Sequence, residues 1–108
     1  MNTRIDYLYR DASNYKKSNQ VIVAGVFSEA QKQTIQECLS GGEYFIPRQV
    51  GFPEIRFEEI TEDDHCWFEL STENFYETTQ NVTVKMTADE VVNAFLSAKD
   101  NWQDTMEI

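Results

Sequence analysis

RIDYLYRDASNYKKSNQVIVAGVF, residues 4–27, holds two strand signals separated by a polar stretch. From Arg4 to Arg10 the residues alternate. Ile5, Tyr7 and Tyr9 fall on one face and Arg4, Asp6, Leu8 and Arg10 on the other, the period of a strand buried on one side. From Val21 to Phe27 the chain is β-branched and nearly continuous in apolar residues, which predicts a central strand buried on both faces. Between them Asp11–Asn19 is rich in Asp, Ser, Asn and Lys, a turn composition. The expectation is an antiparallel hairpin with a loop of about nine residues, longer than usual.

Downstream, Ser28-Glu29-Ala30-Gln31 has the form of a capping box, which predicts a helix with Ala30, Ile35, Cys38 and Leu39 inward and Gln31, Lys32, Gln33, Gln36 and Glu37 outward. Gly41-Gly42 is the expected stop. Residues 42–57, GEYFIPRQVGFPEIRF, are interrupted by Pro47, Gly51 and Pro53 while Tyr44, Phe45, Ile46, Val50 and Phe52 call for burial. This predicts a packed irregular crossing with short strand at 44–46 and 54–58. HCWFEL, residues 65–70, reads as a strand with Cys66 and Phe68 on one face and His65, Trp67 and Glu69 on the other. Residues 82–86 read as another. Thr87-Ala88-Asp89-Glu90 repeats the capping box, and Val91, Val92, Phe95, Leu96 and Trp102 follow at helical spacing, predicting a helix over 88–102. The resulting fold class is α+β: one domain, residues 1–108, with an antiparallel sheet of about four strands and two helices packed on one face.

At 108 residues the chain can bury one core. No hydrophobic leader is evident and the longest apolar run is far short of a membrane span, so the expected compartment is the cytoplasm, with no membrane partner. Cys38 and Cys66 are then expected as free, buried thiols. Asn81-Val82-Thr83 matches a glycosylation acceptor only by chance in that compartment.

The charge is unevenly placed. Residues 54–77, EIRFEEITEDDHCWFELSTENFYE, carry nine carboxylates against Arg56, or −8 of the chain's formal −10. The carboxylates are interleaved with Phe57, Trp67, Phe68, Phe75 and Tyr76, which marks folded surface and not an acidic tail. A sequence isoelectric point near 4.4 argues against direct binding of nucleic acid, whose phosphates need Lys and Arg. It fits a basic protein surface as partner, and it also fits plain solubility. A base-stacking platform of Tyr7, Tyr9 and Tyr15 beside Arg4, Arg10, Lys16 and Lys17 reads better as a sheet face with a basic loop.

Asp63, Asp64, His65 and Cys66 together offer carboxylate, imidazole and thiolate, all metal ligands. On a strand, however, His65 and Cys66 point to opposite faces, and the chain's single histidine and two cysteines fall short of a structural zinc set. No glycine-rich phosphate loop is present, and no nucleophile stands in a recognisable pattern with a base. Neither a catalytic residue nor a cofactor is expected. A small metal-binding or enzymatic domain around these four residues remains the alternative from a different class.

YRDASNYK (Tyr9–Lys16), GEYFIPRQVGFPE (Gly42–Glu54), EDDHCWFEL (Glu62–Leu70) and the later MTADEVVNAF resemble segments of a group of small bacterial proteins carried on conjugative elements, plasmids and phage-like segments. The resemblance spans nearly the whole chain and implies no activity, cofactor or catalytic residue. It implies a setting in which small acidic proteins inhibit host defence, some by imitating the charge of nucleic acid. The combined expectation is a non-enzymatic acidic interaction module, monomer or homodimer. It would present Glu58, Glu59, Glu62, Asp63, Asp64 and Glu69 to a basic surface, in the strongest form a nucleic-acid-binding protein of host defence or DNA handling. An accessory protein of a mobile element with a merely solubilising acidic surface is the third reading.

Overall fold

A computed structural model of the chain, describing residues 1–55 and 65–104, has the expected α+β architecture. Strand β1 (Asn2–Arg10) is the centre of the sheet, and β2 (Lys16–Ala24) pairs with it along its whole length, from Asn2 opposite Ala24 to Arg10 opposite Lys16. Helix α1 (Glu29–Cys38) follows, then β3 (Tyr44–Phe45), β4 (Phe68–Glu69), β5 (Phe75–Thr78) and helix α2 (Ala88–Ala98). The sheet order is β2-β1-β4-β3, with β5 also antiparallel to β1, beyond β4 on the same side. No described helix is long and apolar enough to cross a membrane.

The alternation in β1 is realised directly: Thr3, Ile5, Tyr7 and Tyr9 are buried while Arg4, Asp6, Leu8 and Arg10 are half-exposed. Tyr9 packs on Phe68, with ring centroids 5.1 Å apart, and Tyr7 meets Phe45 edge-on at 5.4 Å. Both helices close this face. Ile35, Cys38 and Leu39 from the first join Val91, Phe95 and Ala98 from the second in one core, and Phe95 stacks on Phe45 at 5.6 Å. The apolar stripes of two short helices thus find one shared surface, where most helical stability arises. Both capping boxes form: Ser28 and Thr87 accept the backbone N–H of Gln31 and Glu90, whose side chains return to the N-cap amides.

Several expectations are corrected. The hairpin turn occupies residues 11–15, not 11–19, and Lys16–Asn19 belong to β2. Asp11 closes the turn by accepting the N–H groups of Ser13 and Tyr15, and Asn14 takes the left-handed conformation at φ 68°. A full ladder against β1 overrides the turn composition of that stretch. β2 lies at the sheet margin instead of the centre, and Gly25 at φ 86° ends it before Phe27. Ala30 is exposed, helix α1 ends at Cys38 ahead of the glycines, and α2 stops at Ala98 instead of reaching Trp102. Trp102 still joins the core after the helix, its indole N–H donating to the Cys38 carbonyl at 3.1 Å. The 42–57 crossing contains β3 and a 3-10 turn over Pro47–Val50, while residues 54 and 55 are irregular and 56–58 lie outside the described residues.

Residues 82–86 are not a strand. Thr83 and Val84 both donate to the Ile22 carbonyl, the Thr83 hydroxyl accepts the Ile22 N–H, and Met86 turns back onto Val84. Two donors converging on one carbonyl break the alternation a ladder needs. The segment nevertheless covers the outer edge of β2, with Ala24 N–H donating to Met86 O at 2.9 Å.

These bonds fix the phase of the whole sheet. Ile22 and Ala24 point their backbone groups outward, so Val21 and Val23 point theirs at Ile5 and Thr3 of β1. The backbone groups of Asn2, Arg4, Asp6 and Leu8 therefore face the other side, toward β5 and β4. The next step agrees: with Leu8 bonded to Glu69, Leu70 should face β3, and its N–H donates to Glu43 O at 2.9 Å.

Candidate functional site

Of the six carboxylates expected to form a partner surface, Glu58, Glu59, Glu62, Asp63 and Asp64 lie outside the described residues. The residues on either side of them are held by the hairpin and, at Glu54, by the Pro47–Val50 turn. On the entering side, the Tyr7 hydroxyl donates to Pro53 O at 2.6 Å, and the backbone N–H of Arg48 donates to Glu54 Oε2 at 2.9 Å. The buried Asn19 side chain grips Ile55 with both ends of its amide. It donates to Ile55 O at 3.0 Å and accepts Ile55 N–H at 2.8 Å, the two bonds a neighbouring strand would make.

On the leaving side, His65 N–H donates to the Tyr9 hydroxyl at 3.2 Å. Its ring lies 5.3 Å from that of Tyr9. Nδ1 accepts the Trp67 N–H at 3.1 Å, and Nε2 sits 2.7 Å from the Arg10 carbonyl. A carbonyl can only accept, so Nε2 must carry the proton, and a nitrogen receiving an N–H must present a lone pair. Both ring nitrogens of His65 are thereby engaged by main-chain groups.

This geometry decides what the Asp63–Cys66 cluster can do with its described members. The strand expected over residues 65–70 is confined to Phe68–Glu69, with a bend at Cys66, so strand alternation does not set these side chains; Cys66 is nonetheless fully buried while His65 is half-exposed. A metal would have to displace the Trp67 or the Arg10 contact to reach a nitrogen of His65. Among the described residues, no group of three His, Cys, Asp or Glu is placed to hold an ion. Cys38, also free and buried, has its thiol pushed above the ordinary value by burial, an environment that disfavours the reactive thiolate. The Tyr7 hydroxyl is likewise raised, by burial and then by the neighbouring Glu54 carboxylate.

Glu69, the sixth carboxylate, is half-buried and paired with Arg10: Oε2 lies 2.8 Å from Nε and Oε1 3.4 Å from Nη2. It borders a broad depression of about 930 Å³ together with Asp6, Leu8, Ser18, Gln20 and Glu43. Asp6 is paired with Arg4 at 3.1 Å. Glu43, Glu73 and Glu77 are exposed. Tyr7 and Tyr9 are core residues, so no stacking platform with Tyr15 forms.

Sequence reasoning missed Asn19 and β5. A polar residue placed opposite Tyr7 on the buried face of a strand was the signal for the first. Phe75, the start of the second, falls within the acidic stretch, where the local pattern does not mark a strand. No protein-family model matches this chain, and neither the curated proteins nor the solved structures contain a match to it.

Proposed function

We propose that this protein is a non-enzymatic acidic interaction module whose partner is a basic protein surface. The observation that carries the reading is the charge distribution. Eight of the ten net negative charges fall within residues 54–77, and no Lys or Arg occurs between Arg56 and Lys85. Charge concentrated in this way steers a basic partner and selects against acidic ones. The fastening of Pro53–Ile55 and of His65 to the hairpin supports it, because a rigid frame lowers the entropy lost when a flanking surface binds. The use of both His65 nitrogens as main-chain anchors counts against the metal or enzymatic alternative. In its most specific form the partner is a nucleic-acid-binding protein of host defence or DNA handling, with Glu58, Glu59, Glu62, Asp63 and Asp64 standing in for phosphates, in keeping with the resemblance to mobile-element proteins.

The test is a variant in which those five acids become Gln or Asn, compared with the native chain as bait in a bacterial lysate at low salt. The native chain should retain basic proteins that the variant loses. Equal recovery by both would leave the acid merely solubilising and sink the proposal.

A further inference from the structure

Among the described residues, strand β5 is paired on one side only. Its backbone partner there is β1, with Ile5 opposite Phe75 and Asn2 opposite Thr78. The phase of the sheet tells which of its groups remain. Arg4 and Asn2 turn their N–H and C=O toward Tyr76 and Thr78, so Phe75 and Glu77 turn theirs away from β1. The Phe75 N–H closes the preceding 3-10 turn onto Thr72 O. Among the described residues, the Phe75 carbonyl and both the N–H and the C=O of Glu77 are left along the outer edge. The other margins differ. The outer edge of β2 is covered by residues 83–86, and Tyr44 of β3 exchanges two bonds with Ser40.

Charge says what could pair there. Glu73 and Glu77 are exposed at and beside this edge, and Tyr76 is 41% exposed. Arg4, whose guanidinium lies 4.7 Å from the Tyr76 ring centre, is paired with Asp6 on the β1 side. We infer that the β5 edge accepts an extended segment bearing Lys or Arg as an additional strand, main-chain bonds supplying attachment and Glu77 selecting the charge. This rests on the reading of the protein as a module for basic partners and specifies how one would attach. A second copy of this chain is disfavoured as occupant, because β5 paired with itself about a two-fold axis would line four carboxylates, Glu73 and Glu77 from each copy, along one seam.

The probe is a synthetic ten-residue peptide of alternating Lys and Val, with an alternating Glu and Val peptide as control, followed by amide NMR and hydrogen exchange on the full chain. The expected result is binding of the Lys peptide only, with exchange of the Glu77 amide slowed about tenfold or more. Glu77→Pro removes an outward N–H without touching the bonds of Tyr76 or Thr78 to β1. It should weaken binding about tenfold, a loss typical of one hydrogen bond plus a charge. Should Glu77→Pro fail to fold, Glu77→Lys, which keeps the backbone and reverses the charge, carries the test. Unchanged affinity in these variants, or signal changes confined to residues away from 73–78, would overturn the edge assignment while leaving the interaction reading intact. Failure of the native chain to bind the Lys peptide would also overturn it, the broader reading being tested separately by the five-acid variant.

Discussion

Replacing His65 by alanine separates a structural imidazole from a chemical one. The change deletes the acceptor for Trp67 N–H and the donor to Arg10 O, each bond worth about 1 kcal/mol net. It also removes a ring packed 5.3 Å from Tyr9, worth about 0.5–1 kcal/mol more. The site is half-exposed, so water recovers part of the loss, and the expected cost is about 2 kcal/mol. For a domain of this size that lowers the melting temperature by roughly 8–12 °C. Thermal unfolding followed by circular dichroism, repeated with and without a chelator, reads both halves of the argument. The native protein should melt at the same temperature in either condition, and His65→Ala should melt lower in both. A variant within about 2 °C of the native protein would refute the anchoring argument. A chelator that lowers the native melting temperature would show a bound metal and restore the rejected alternative.

Asn19→Leu should cost about 2 kcal/mol in urea unfolding, since it unpairs both main-chain groups of Ile55, and should speed hydrogen exchange of the Ile55 amide. Phe95→Ala opens a cavity among Phe45, Phe52 and Trp102 and should cost about 3–5 kcal/mol, enough to leave much of the chain unfolded at 37 °C. The thiols of Cys38 and Cys66 should resist alkylation in the native state and react together on unfolding, checked by mass spectrometry of labelled protein. Alkaline pH should destabilise the fold. The Cys38 thiol and the Tyr7 hydroxyl are raised from ordinary values of 9.0 and 10.0, so the folded state binds their protons more tightly than the unfolded state does. Their contribution is complete below about pH 8 and is lost as pH rises past 9 and then 10. Urea midpoints measured across that range should fall accordingly, and Tyr7→Phe should flatten the part above about pH 10.

The elements readable from sequence were those whose signal is local. The alternation of Ile5, Tyr7 and Tyr9 and the two capping boxes state a period or an end within a few residues, and the structure follows them. What was misread depended on distant partners. Lys16–Asn19 look like loop until β1 is laid beside them, and residues 82–86 alternate like a strand until the Thr83 hydroxyl takes the place of a main-chain acceptor. Asn19 illustrates the same point at the site. Its role exists only because residues 53–55 pass beside the Tyr7–Asn19 pair of the hairpin, which no local pattern encodes. The two-residue period read over 65–70 holds only for Phe68 and Glu69, because the chain bends at Cys66 where His65 is tied back to Arg10 and Trp67.

The central claim is that the acid between residues 54 and 77 recognises a basic partner. It is tested most directly by capturing a partner from host lysate at low salt, identifying it by mass spectrometry, and measuring its association constant as salt rises. Exposed charges are screened within about 10 Å at 0.1 M salt. The account therefore predicts a basic protein whose affinity falls steeply between about 50 and 200 mM salt and falls further when Glu58, Glu59, Glu62, Asp63 and Asp64 are neutralised. A partner bound equally well at both salt concentrations, and equally by the neutralised variant, would contradict it.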